Sequence, residues 1–226
     1  MPSFDIIKKN NPKKISFRVS KIQADFDVKI EHSNEHFCGN IEIPEKWNIG
    51  LIVGGSGTGK STIAKELWKD YYVNGYTYKS ECVIDDMPKD MSVSDITKMF
   101  YTVGFGSVPS WLKPYDVLSN GEKMRVDLAR TLLEKDFAVF DEFTSVVDRN
   151  VAKTASIAIN KAIKKQDKKI ILISCHYDII DWLQPDWIFD TNKMQNFFAQ
   201  AHDRNKSIIS KNVICESGQS LGNIII

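Results

Sequence analysis

The feature that most constrains the fold of this 226-residue chain is a glycine-rich loop between an apolar run and a helical segment. The apolar run, NIGLIVGG over 48–55, has the length and the β-branched content of a buried strand. The loop GGSGTGKST occupies 54–62, and the sequence after it is helical in character to about Asn74. A strand, a glycine turn and a helix in direct succession predict a βα unit of a parallel sheet.

The glycine loop also has the spacing G-x-x-x-x-G-K-[ST], from Gly54 to Ser61. Glycines let successive backbone N–H groups point at one anion, and the N-terminus of the following helix adds positive potential. In this pattern Lys60 reaches the terminal phosphates of a nucleotide and Ser61 binds Mg²⁺. A purely structural glycine turn is the alternative, which the strand–loop–helix context disfavours. The predicted nucleotide-binding residues are Gly54, Gly55, Ser56, Gly57, Thr58, Gly59, Lys60, Ser61 and Thr62.

Two carboxylates end a second apolar strand, FAVFDE at 137–142. Asp141 stands where it can hold Mg²⁺ through water. Glu142 follows and can polarise the water that attacks a phosphate. Taken alone, a carboxylate pair could simply end a strand, but beside a phosphate-binding loop the pattern favours function. We therefore predict that Asp141 serves the metal and that Glu142 is catalytic.

Strand-like and helical segments alternate along the rest of the chain. Alternating apolar residues over 15–30 and 36–43 predict antiparallel strands, and 77–85 has the pattern of a further strand. The remaining predicted elements are a helix capped by Ser92 or Ser94, a helix from Gly121, a helix over 149–165, and strands over 169–176 and 186–190. This alternation predicts an α/β fold with a largely parallel sheet covered by helices.

Five short motifs occur in order: the glycine loop, LSNGE (118–122), VFDE (139–142), TSVVD (144–148) and SCH (174–176). In this order they resemble the Walker A, signature, Walker B, D-loop and switch-histidine motifs of ABC-type ATPases. The resemblance covers about 15–190. It implies a P-loop NTPase three-layer sandwich of the ABC ATPase type with an N-terminal antiparallel β subdomain. The implied ATPase domain is 1–190, with a short helical subdomain at about 75–135 that carries the signature, and 191–226 is a tail without an assignment.

In ABC-type ATPases two cassettes pair head to tail, so that the signature of one faces the ATP bound by the other. The resemblance therefore implies a homodimer with ATP and Mg²⁺ as cofactors. A helix N-terminus can cap the γ-phosphate because it carries unsatisfied N–H donors and positive potential. By residue match, the signature in trans is Ser119, Asn120, Gly121 and Glu122, the D-loop residue at the dimer interface is Asp148, and the catalytic residues are Lys60, Glu142 and His176. His176 would contact the γ-phosphate and steady the attacking water.

An aromatic residue in the N-terminal strands usually stacks on the adenine in this family. Phe26 is the predicted residue here, with Phe17 and Trp47 as alternatives. The alternative for Phe26 is a purely structural role, as a core residue of a strand.

This chain departs from ABC transporter cassettes in one loop. In transporters that loop contains a glutamine and couples the cassette to its membrane subunit. This chain has no glutamine between Thr62 and Leu118. Asp85 or Asp86 lies where that loop falls and is predicted to take its place at the metal or water. The helical subdomain segment is also shorter than in transporters. Both features disfavour a transporter subunit.

Four longer segments are similar to a group of soluble, stand-alone ABC-type ATPases of bacteria and their phages. These segments are WNIGLIVGGSGTGKST, VLSNGEKMRVDLAR, DEFTSVVDR and SCHYDIIDWLQPDWIFD. Some members of that group are fused to an acetyltransferase-like domain. Nothing after Asp190 resembles such a domain, so acetylation is not implied.

The amino-acid composition limits which kinds of partner and cellular location are expected for this chain. The chain has 42% hydrophobic and 26% charged residues, typical of a soluble globular protein, and its net charge of +1 does not indicate nucleic-acid or membrane-surface binding. Its N-terminus lacks the apolar core of a signal peptide, and no apolar run approaches the ~18 residues that span a bilayer. Four cysteines without metal-binding spacing are expected to be reduced thiols. We therefore predict a cytoplasmic protein without a transmembrane segment.

Three functions are compatible with these patterns. The first is Mg-dependent ATP binding and hydrolysis by a head-to-tail dimer coupled to an unknown protein partner. The second is a nucleotide-gated DNA-associated or protein-binding module with little turnover, although the basic run at 161–169 is typical of a solvated helix end. The third and least favoured is a transporter ATP-binding subunit.

Overall fold

The computed structural model describes residues 1–9, 15–28, 34–199 and 208–212. The strands are β1 (Ser3–Lys9), β2 (Asn34–Asn40), β3 (Ile49–Val53), β4 (Phe137–Phe140), β5 (Lys169–Ser174), β6 (Trp187–Asp190), β7 (Gln195–Ala199) and β8 (Ile208–Asn212). The α-helices are α1 (Phe17–Phe26), α2 (Lys60–Leu67), α3 (Val93–Thr102), α4 (Val108–Trp111), α5 (Asn120–Glu134), α6 (Arg149–Gln166) and α7 (Ile179–Leu183). Short 3₁₀ helices occur at Lys69–Tyr71, Val83–Asp86 and Tyr115–Val117.

A six-stranded sheet forms the centre of the described chain, in the order β4-β5-β3-β6-β7-β8. The first four strands are parallel, and β7 and β8 add to one side in antiparallel orientation. Every residue of β3 is buried, as expected for a strand covered on both faces. Because β3, β4 and β5 run parallel, the glycine loop, the carboxylate pair and His176 all follow strand ends at the same edge of the sheet.

Two apolar clusters cover the opposite faces of this sheet. One contains Leu51 and Leu172 of the sheet together with buried residues of α3, α5 and α6. The other contains Ile52 and Ile171 together with buried residues of α2 and the N-terminal region. In that region β1 and β2 form a separate antiparallel pair. The predicted α/β three-layer fold with an N-terminal antiparallel sheet is therefore confirmed.

A polar cluster connects the segment after α2 to helix α5. The rings of Tyr78 and Tyr115 stack with centroids 3.9 Å apart. Their hydroxyls donate hydrogen bonds to the two carboxylate oxygens of Asp127, at 2.7 and 2.8 Å. Burial raises the pKa of the Asp127 carboxyl above its ordinary value. These contacts therefore attach helix α5, at Asp127, to the segments that contain Tyr78 and Tyr115.

Residues 17–26 form helix α1, so the strand predicted over 15–30 is wrong for this part of the range. The Ser16 hydroxyl caps the helix by accepting a hydrogen bond from the Val19 amide at 3.3 Å. Apolar residues recur at Ile15, Val19, Ile22 and Phe26, which is the three- and four-residue spacing of a helix. Helix α1 buries none of its side chains, so the cap and the spacing are its only signals within the described residues. Residues 29 and 30 lie outside the described part of the chain.

The strand predicted over 77–85 is also wrong. The segment is irregular and leads into the 3₁₀ helix at Val83–Asp86. The Lys79 and Ser80 amides donate to the Asp86 carboxylate, at 3.0 and 2.9 Å, rather than to a neighbouring strand. These amides are therefore not available for a sheet ladder. The strand predicted over 36–43 is confirmed for 36–40, which lie in β2, whereas 41–43 follow the end of that strand.

Three further features concern the strands after Asp190, the cysteines and the length of the helices. The sheet continues beyond Asp190 through β7 and β8, where the sequence allowed no assignment. Cys82 and Cys175 are free thiols, as expected, but Cys38 forms a disulfide, so the expectation of reduced thiols is wrong there. No helix in the described ranges has the length and apolar character needed to cross a bilayer.

Candidate functional site

The glycine loop lies between β3 and α2, as its sequence predicts. Gly57 and Gly59 have φ values of 82° and 85°, in the left-handed region that glycine adopts without a steric penalty. Gly59 is the N-cap residue of α2 and offers no side-chain acceptor to the first N–H groups of the helix. Those N–H groups are therefore free to bind an anion in the loop. Lys60 to Thr62 form the first turn of α2.

The Lys60 side chain folds back over the loop. Its ammonium donates a hydrogen bond to the Gly55 carbonyl oxygen at 2.5 Å. The Thr58 hydroxyl donates to the same oxygen at 2.9 Å. These contacts hold a positive charge above a ring of backbone groups, which is the arrangement that an oligophosphate requires.

A turn after β6 supports the loop from the side. The Gly55 amide donates to the Asn192 side-chain oxygen at 3.1 Å, and the Thr58 and Thr191 hydroxyls are 2.6 Å apart. The Asn192 side-chain nitrogen donates to the Tyr177 hydroxyl at 2.9 Å. Since Tyr177 directly follows His176, this contact links the glycine loop to the segment that carries the switch histidine. Sequence analysis did not identify Asn192, because its partners lie far away along the chain.

The metal residues predicted from the sequence are brought together by a tyrosine. The Tyr72 hydroxyl donates a hydrogen bond to Asp141 Oδ2, and the Ser61 side chain lies beside the same hydroxyl. Asp141 Oδ1 accepts a hydrogen bond from the Glu142 amide at 2.8 Å. Burial and the neighbouring Asp141 carboxylate raise the pKa of Tyr72 above its ordinary value. No motif in the sequence points to Tyr72.

The donor set at this point suits magnesium. A serine hydroxyl and a carboxylate are hard oxygen ligands, which Mg²⁺ prefers, together with phosphate oxygens and water. Among the described residues no group of three or more His, Cys, Asp or Glu forms a metal site by itself. The protein groups therefore fit a metal that arrives with a phosphate ligand rather than a cage made wholly of side chains.

Asp86 is engaged elsewhere. Its two carboxylate oxygens accept hydrogen bonds from Lys79 and from the amide and hydroxyl of Ser80. Asp85 accepts a hydrogen bond at its backbone carbonyl from the Lys89 ammonium, at 2.6 Å. The metal role predicted for Asp85 or Asp86 remains a prediction.

Glu142 lies on an exposed turn after β4 with an unusual backbone conformation. Glu142 and Thr144 have φ values of 54° and 65°, which cost non-glycine residues about 1 kcal/mol or more. Phe143, which lies between them, is fully buried, and its amide donates to the Ile173 carbonyl at 2.9 Å. The buried ring anchors the turn, so that the Glu142 carboxylate projects toward solvent at the edge of the sheet that holds the glycine loop.

The signature turn is held by a reciprocal cap. The Glu122 amide donates to the Ser119 hydroxyl at 3.3 Å, while Glu122 Oε2 accepts from the Ser119 amide at 3.0 Å and its hydroxyl at 2.8 Å. Glu122 Oε1 accepts from the buried Ser110 hydroxyl at 2.7 Å. The hydrogen bonds from Ser110 and Ser119 lower the pKa of the Glu122 carboxyl. Ser119 and Asn120 are exposed, and Gly121 has no side chain, so the helix start is open to a ligand.

Asp148 and His176 are the remaining predicted residues. Asp148 is the N-cap of α6 and accepts hydrogen bonds from the Asn150 and Val151 amides at 2.9 and 3.1 Å. A Cβ built on Gly121 would lie 3.4 Å from Val147, which places the signature against the D-loop segment. The His176 amide donates to the Ser174 hydroxyl at 3.1 Å, at the end of β5.

The aromatic ring of Phe37 packs against the glycine loop. A Cβ built on Gly59 would lie 2.7 Å from the Phe37 ring, so that ring packs directly against the loop. Phe26 and Phe17 lie on α1 with exposed fractions of 69% and 83%, and the premise that Phe26 lies on a strand is wrong. Trp47 packs edge to face on Trp187. The adenine role predicted for Phe26 therefore has less structural support than the same role for Phe37.

The sequence was compared with those of characterised proteins. No protein-family model matches it. It is 27% identical over 172 residues to the probable peptide export ATP-binding protein YydI of Bacillus subtilis (strain 168), covering 67% of this chain and 82% of that protein. It is 27% identical over 183 residues to the energy-coupling factor transporter ATP-binding protein EcfA1 of Staphylococcus aureus (strain USA300), covering 63% and 66%. A third match, to the probable ATP-dependent transporter ycf16 of Antithamnion sp., is 31% identical but spans only 34% of that protein.

Solved structures with a similar fold were also found. The dimeric structure of MJ0796, a bacterial ABC transporter cassette, matches with a TM-score of 0.52 and 16% identity, over 69% of this chain and 87% of that one. A post-hydrolysis state of MJ0796 bound to ADP and Pi matches with a TM-score of 0.56 and 13% identity, over 72% and 89%. CbiO1 from Clostridium perfringens matches with a TM-score of 0.51 and 21% identity, over 68% and 76%. At these identities the likeness concerns the fold.

Proposed function

We propose that this chain, an ABC-type ATPase cassette by its fold and its sequence relatives, binds Mg-ATP and hydrolyses it in a head-to-tail homodimer. The observation that carries the proposal is the hydrogen bond from Tyr72 to Asp141, with Ser61 of the glycine loop beside the same hydroxyl. It unites the two groups that a P-loop NTPase uses for its metal, although they lie far apart in the sequence.

The loop supplies the phosphate contacts. The amides of the loop and of the first turn of α2 bind the β-phosphate, and Lys60 exchanges its contact with Gly55 for the terminal phosphates. Ser61 and Asp141 would hold Mg²⁺, the first directly and the second through water. When bound, this metal neutralises charge on the β- and γ-phosphates.

Glu142 is the group that we propose takes the proton from the attacking water. The water oxygen bonds to the γ-phosphorus, the bond to the β–γ bridging oxygen breaks, and ADP and phosphate form. The exposed carboxylate lies where a nucleotide in the glycine loop and a partner subunit would approach it. His176 steadies the water and the γ-phosphate from the end of the neighbouring strand β5.

The second half of the site comes from a partner copy. Ser119, Asn120, Gly121 and Glu122 face the γ-phosphate of the partner, and Asp148 organises the interface. The 15-residue helix α5 begins at this turn and directs its unsatisfied N–H groups outward. The Ser119 hydroxyl now donates to Glu122 and has a single proton, so binding to a phosphate in trans requires it to turn away from Glu122.

Phe37 is our candidate for the aromatic residue beside the adenine. Its ring packs on Gly59 from strand β2, next to the point where the base and ribose would leave the loop. This replaces Phe26, which lies on an exposed helix.

The sequence relatives and the missing glutamine support different partners for this ATPase. YydI and EcfA1 are named as export and transporter ATP-binding proteins, which supports a membrane subunit as partner. The absence of a glutamine between Thr62 and Leu118 supports the alternative that we favour, a stand-alone cytoplasmic ATPase with an unknown protein partner. A DNA-associated module is a weaker alternative because the net charge is only +1.

The proposal is tested with Glu142→Gln, which keeps the shape of the side chain but cannot accept the proton. We expect this variant to bind ATP, to lose turnover, and to change with Mg-ATP to twice the monomer mass of 25.7 kDa by light scattering. Mg-ADP should leave it monomeric. Wild-type rates of hydrolysis in this variant would remove Glu142 as the base.

A second variant tests the partner half-site. Ser119→Arg, placed in the Glu142→Gln background, should keep ATP binding and remove the mass change. An ATP-bound dimer in that double variant would contradict the role of the signature in trans.

A further inference from the structure

We infer that Tyr72 is a positioning residue of the magnesium site, which orients the Asp141 carboxylate beside Ser61. The inference rests on the proposed function and adds a residue that none of the sequence motifs contains. Its basis is the hydrogen bond from the Tyr72 hydroxyl to Asp141 Oδ2, with the Ser61 side chain beside the same hydroxyl.

Both oxygens of Asp141 are held in place. Oδ1 accepts the Glu142 amide at 2.8 Å and Oδ2 accepts the Tyr72 hydroxyl. Each carboxylate oxygen has further lone pairs, so both remain able to accept hydrogen bonds from metal-bound waters. The two contacts therefore restrict the rotation of the carboxylate without using up its capacity to serve a metal.

The position of the Tyr72 hydroxyl is determined by the core. Tyr72 forms a parallel bridge with Val139, and the Val73 amide donates to the Val139 carbonyl at 2.9 Å. The side chain is 9% exposed and belongs to the apolar cluster that contains Ile63 and Trp68. Since Val139 lies two residues before Asp141, the backbone bridge sets the distance between the phenol and the carboxylate.

The chemistry of a phenol suits a residue that holds a metal-binding carboxylate in place. A phenol is neutral at pH 7 and donates one hydrogen bond, so it orients a carboxylate without cancelling the negative charge that the metal needs. Groups that hydrogen-bond to metal-binding carboxylates typically change metal affinity by about 10–100-fold when they are removed. Asp141 acts through water in this site, so we expect the lower end of that range.

The experiment measures metal binding rather than turnover. Binding of a fluorescent ATP analogue is titrated with MgCl₂, and repeated in EDTA, for the wild type, Tyr72→Phe and Tyr71→Phe. Tyr71 is a matched control because it adjoins Tyr72, is 46% exposed, and packs its ring on Phe137 outside the site. We expect Tyr72→Phe to need about tenfold more Mg²⁺ for half-maximal binding, while Tyr71→Phe matches the wild type.

Two further results distinguish positioning from general support. Affinity for the analogue in EDTA should be the same in Tyr72→Phe as in the wild type. In an Asp141→Asn background, Tyr72→Phe should add no further loss of Mg²⁺ dependence, since the phenol acts through that carboxylate.

Each contrary outcome has one meaning. An unchanged Mg²⁺ requirement in Tyr72→Phe, with a normal response in the wild type, overturns the inference and leaves the proposed function intact. Equal losses with Mg²⁺ and with EDTA also overturn it, because they indicate a general role in the loop. A wild type whose binding does not respond to Mg²⁺ overturns the proposed function and the inference with it.

Discussion

Removal of the Glu122 carboxylate should lower the free energy of unfolding. The hydrogen bonds that this carboxylate accepts determine the size of the loss. Glu122→Ala deletes the acceptor of three hydrogen bonds, two from Ser119 and one from Ser110. Ser119 is exposed, so water replaces its partner at a cost of about 0.5 kcal/mol for each bond. Ser110 is 4% exposed and keeps only its contact with Ser107, at a cost of about 1 kcal/mol. The total is about 2 kcal/mol.

The assay is thermal unfolding followed by circular dichroism. For a domain of this size, about 2 kcal/mol corresponds to a fall in Tm of about 4–8 °C. Glu122→Gln is the matched control, because it keeps the shape and one acceptor oxygen and should lose less than half as much. The hydrogen bond from the Glu122 amide to the Ser119 hydroxyl uses the backbone and survives in both variants. An unchanged Tm in Glu122→Ala would refute the reasoning.

The same contacts predict a dependence on pH. Hydrogen bonds from Ser110 and Ser119 lower the pKa of Glu122 in the folded chain. A lowered folded pKa means that the stabilisation is complete above the ordinary value near 4.5 and is lost as the pH falls through the lowered value. The stability difference between the wild type and Glu122→Gln should therefore shrink below about pH 4. A difference that stays constant down to pH 3 would contradict the assigned cause.

Two further perturbations test the glycine loop and the polar cluster on α5. Gly59→Ala should lower the affinity for a fluorescent ATP analogue by more than about tenfold, since φ is 85° and the new Cβ would lie 2.7 Å from the Phe37 ring. Gly75→Ala is its control, since Gly75 also has a positive φ but meets nothing within 4 Å, and equal binding by both variants would contradict the steric argument. Asp127→Ala leaves two partly buried tyrosine hydroxyls without their acceptor and should cost about 2–3 kcal/mol in urea unfolding. A loss below about 1 kcal/mol would indicate that water satisfies both hydroxyls.

The parts of the fold that could be predicted share one property, which is that their signal is local. A left-handed φ at Gly57 and Gly59 favours glycine, and helix α5 begins at Asn120, one residue before the predicted start at Gly121. Buried parallel strands such as β3 and β5 read as continuous apolar runs. These requirements involve neighbours along the chain, so the sequence carries them directly.

The two wrong strand predictions concern segments whose local pattern is ambiguous. Residues 17–26 contain both alternating and three-to-four spaced apolar positions, and capping by Ser16 decides for the helix. Residues 77–85 are rich in strand-forming residues, but the carboxylate of Asp86 takes the amides that a sheet would use. In both segments hydrogen-bond competition, which composition does not report, determines the outcome.

By itself the sequence determined the glycine loop, the helix that follows the signature motif and the succession along the chain of the strands that carry the candidate catalytic groups. Only the tertiary structure decided which side chains complete the site. Tyr72 meets Asp141 across 69 residues of chain, Asn192 meets Gly55 across 137, and Phe37 reaches Gly59 from a separate sheet. Such contacts depend on strand register and on the packing of layers, and these are set by the burial of apolar faces over the whole domain rather than by any local pattern.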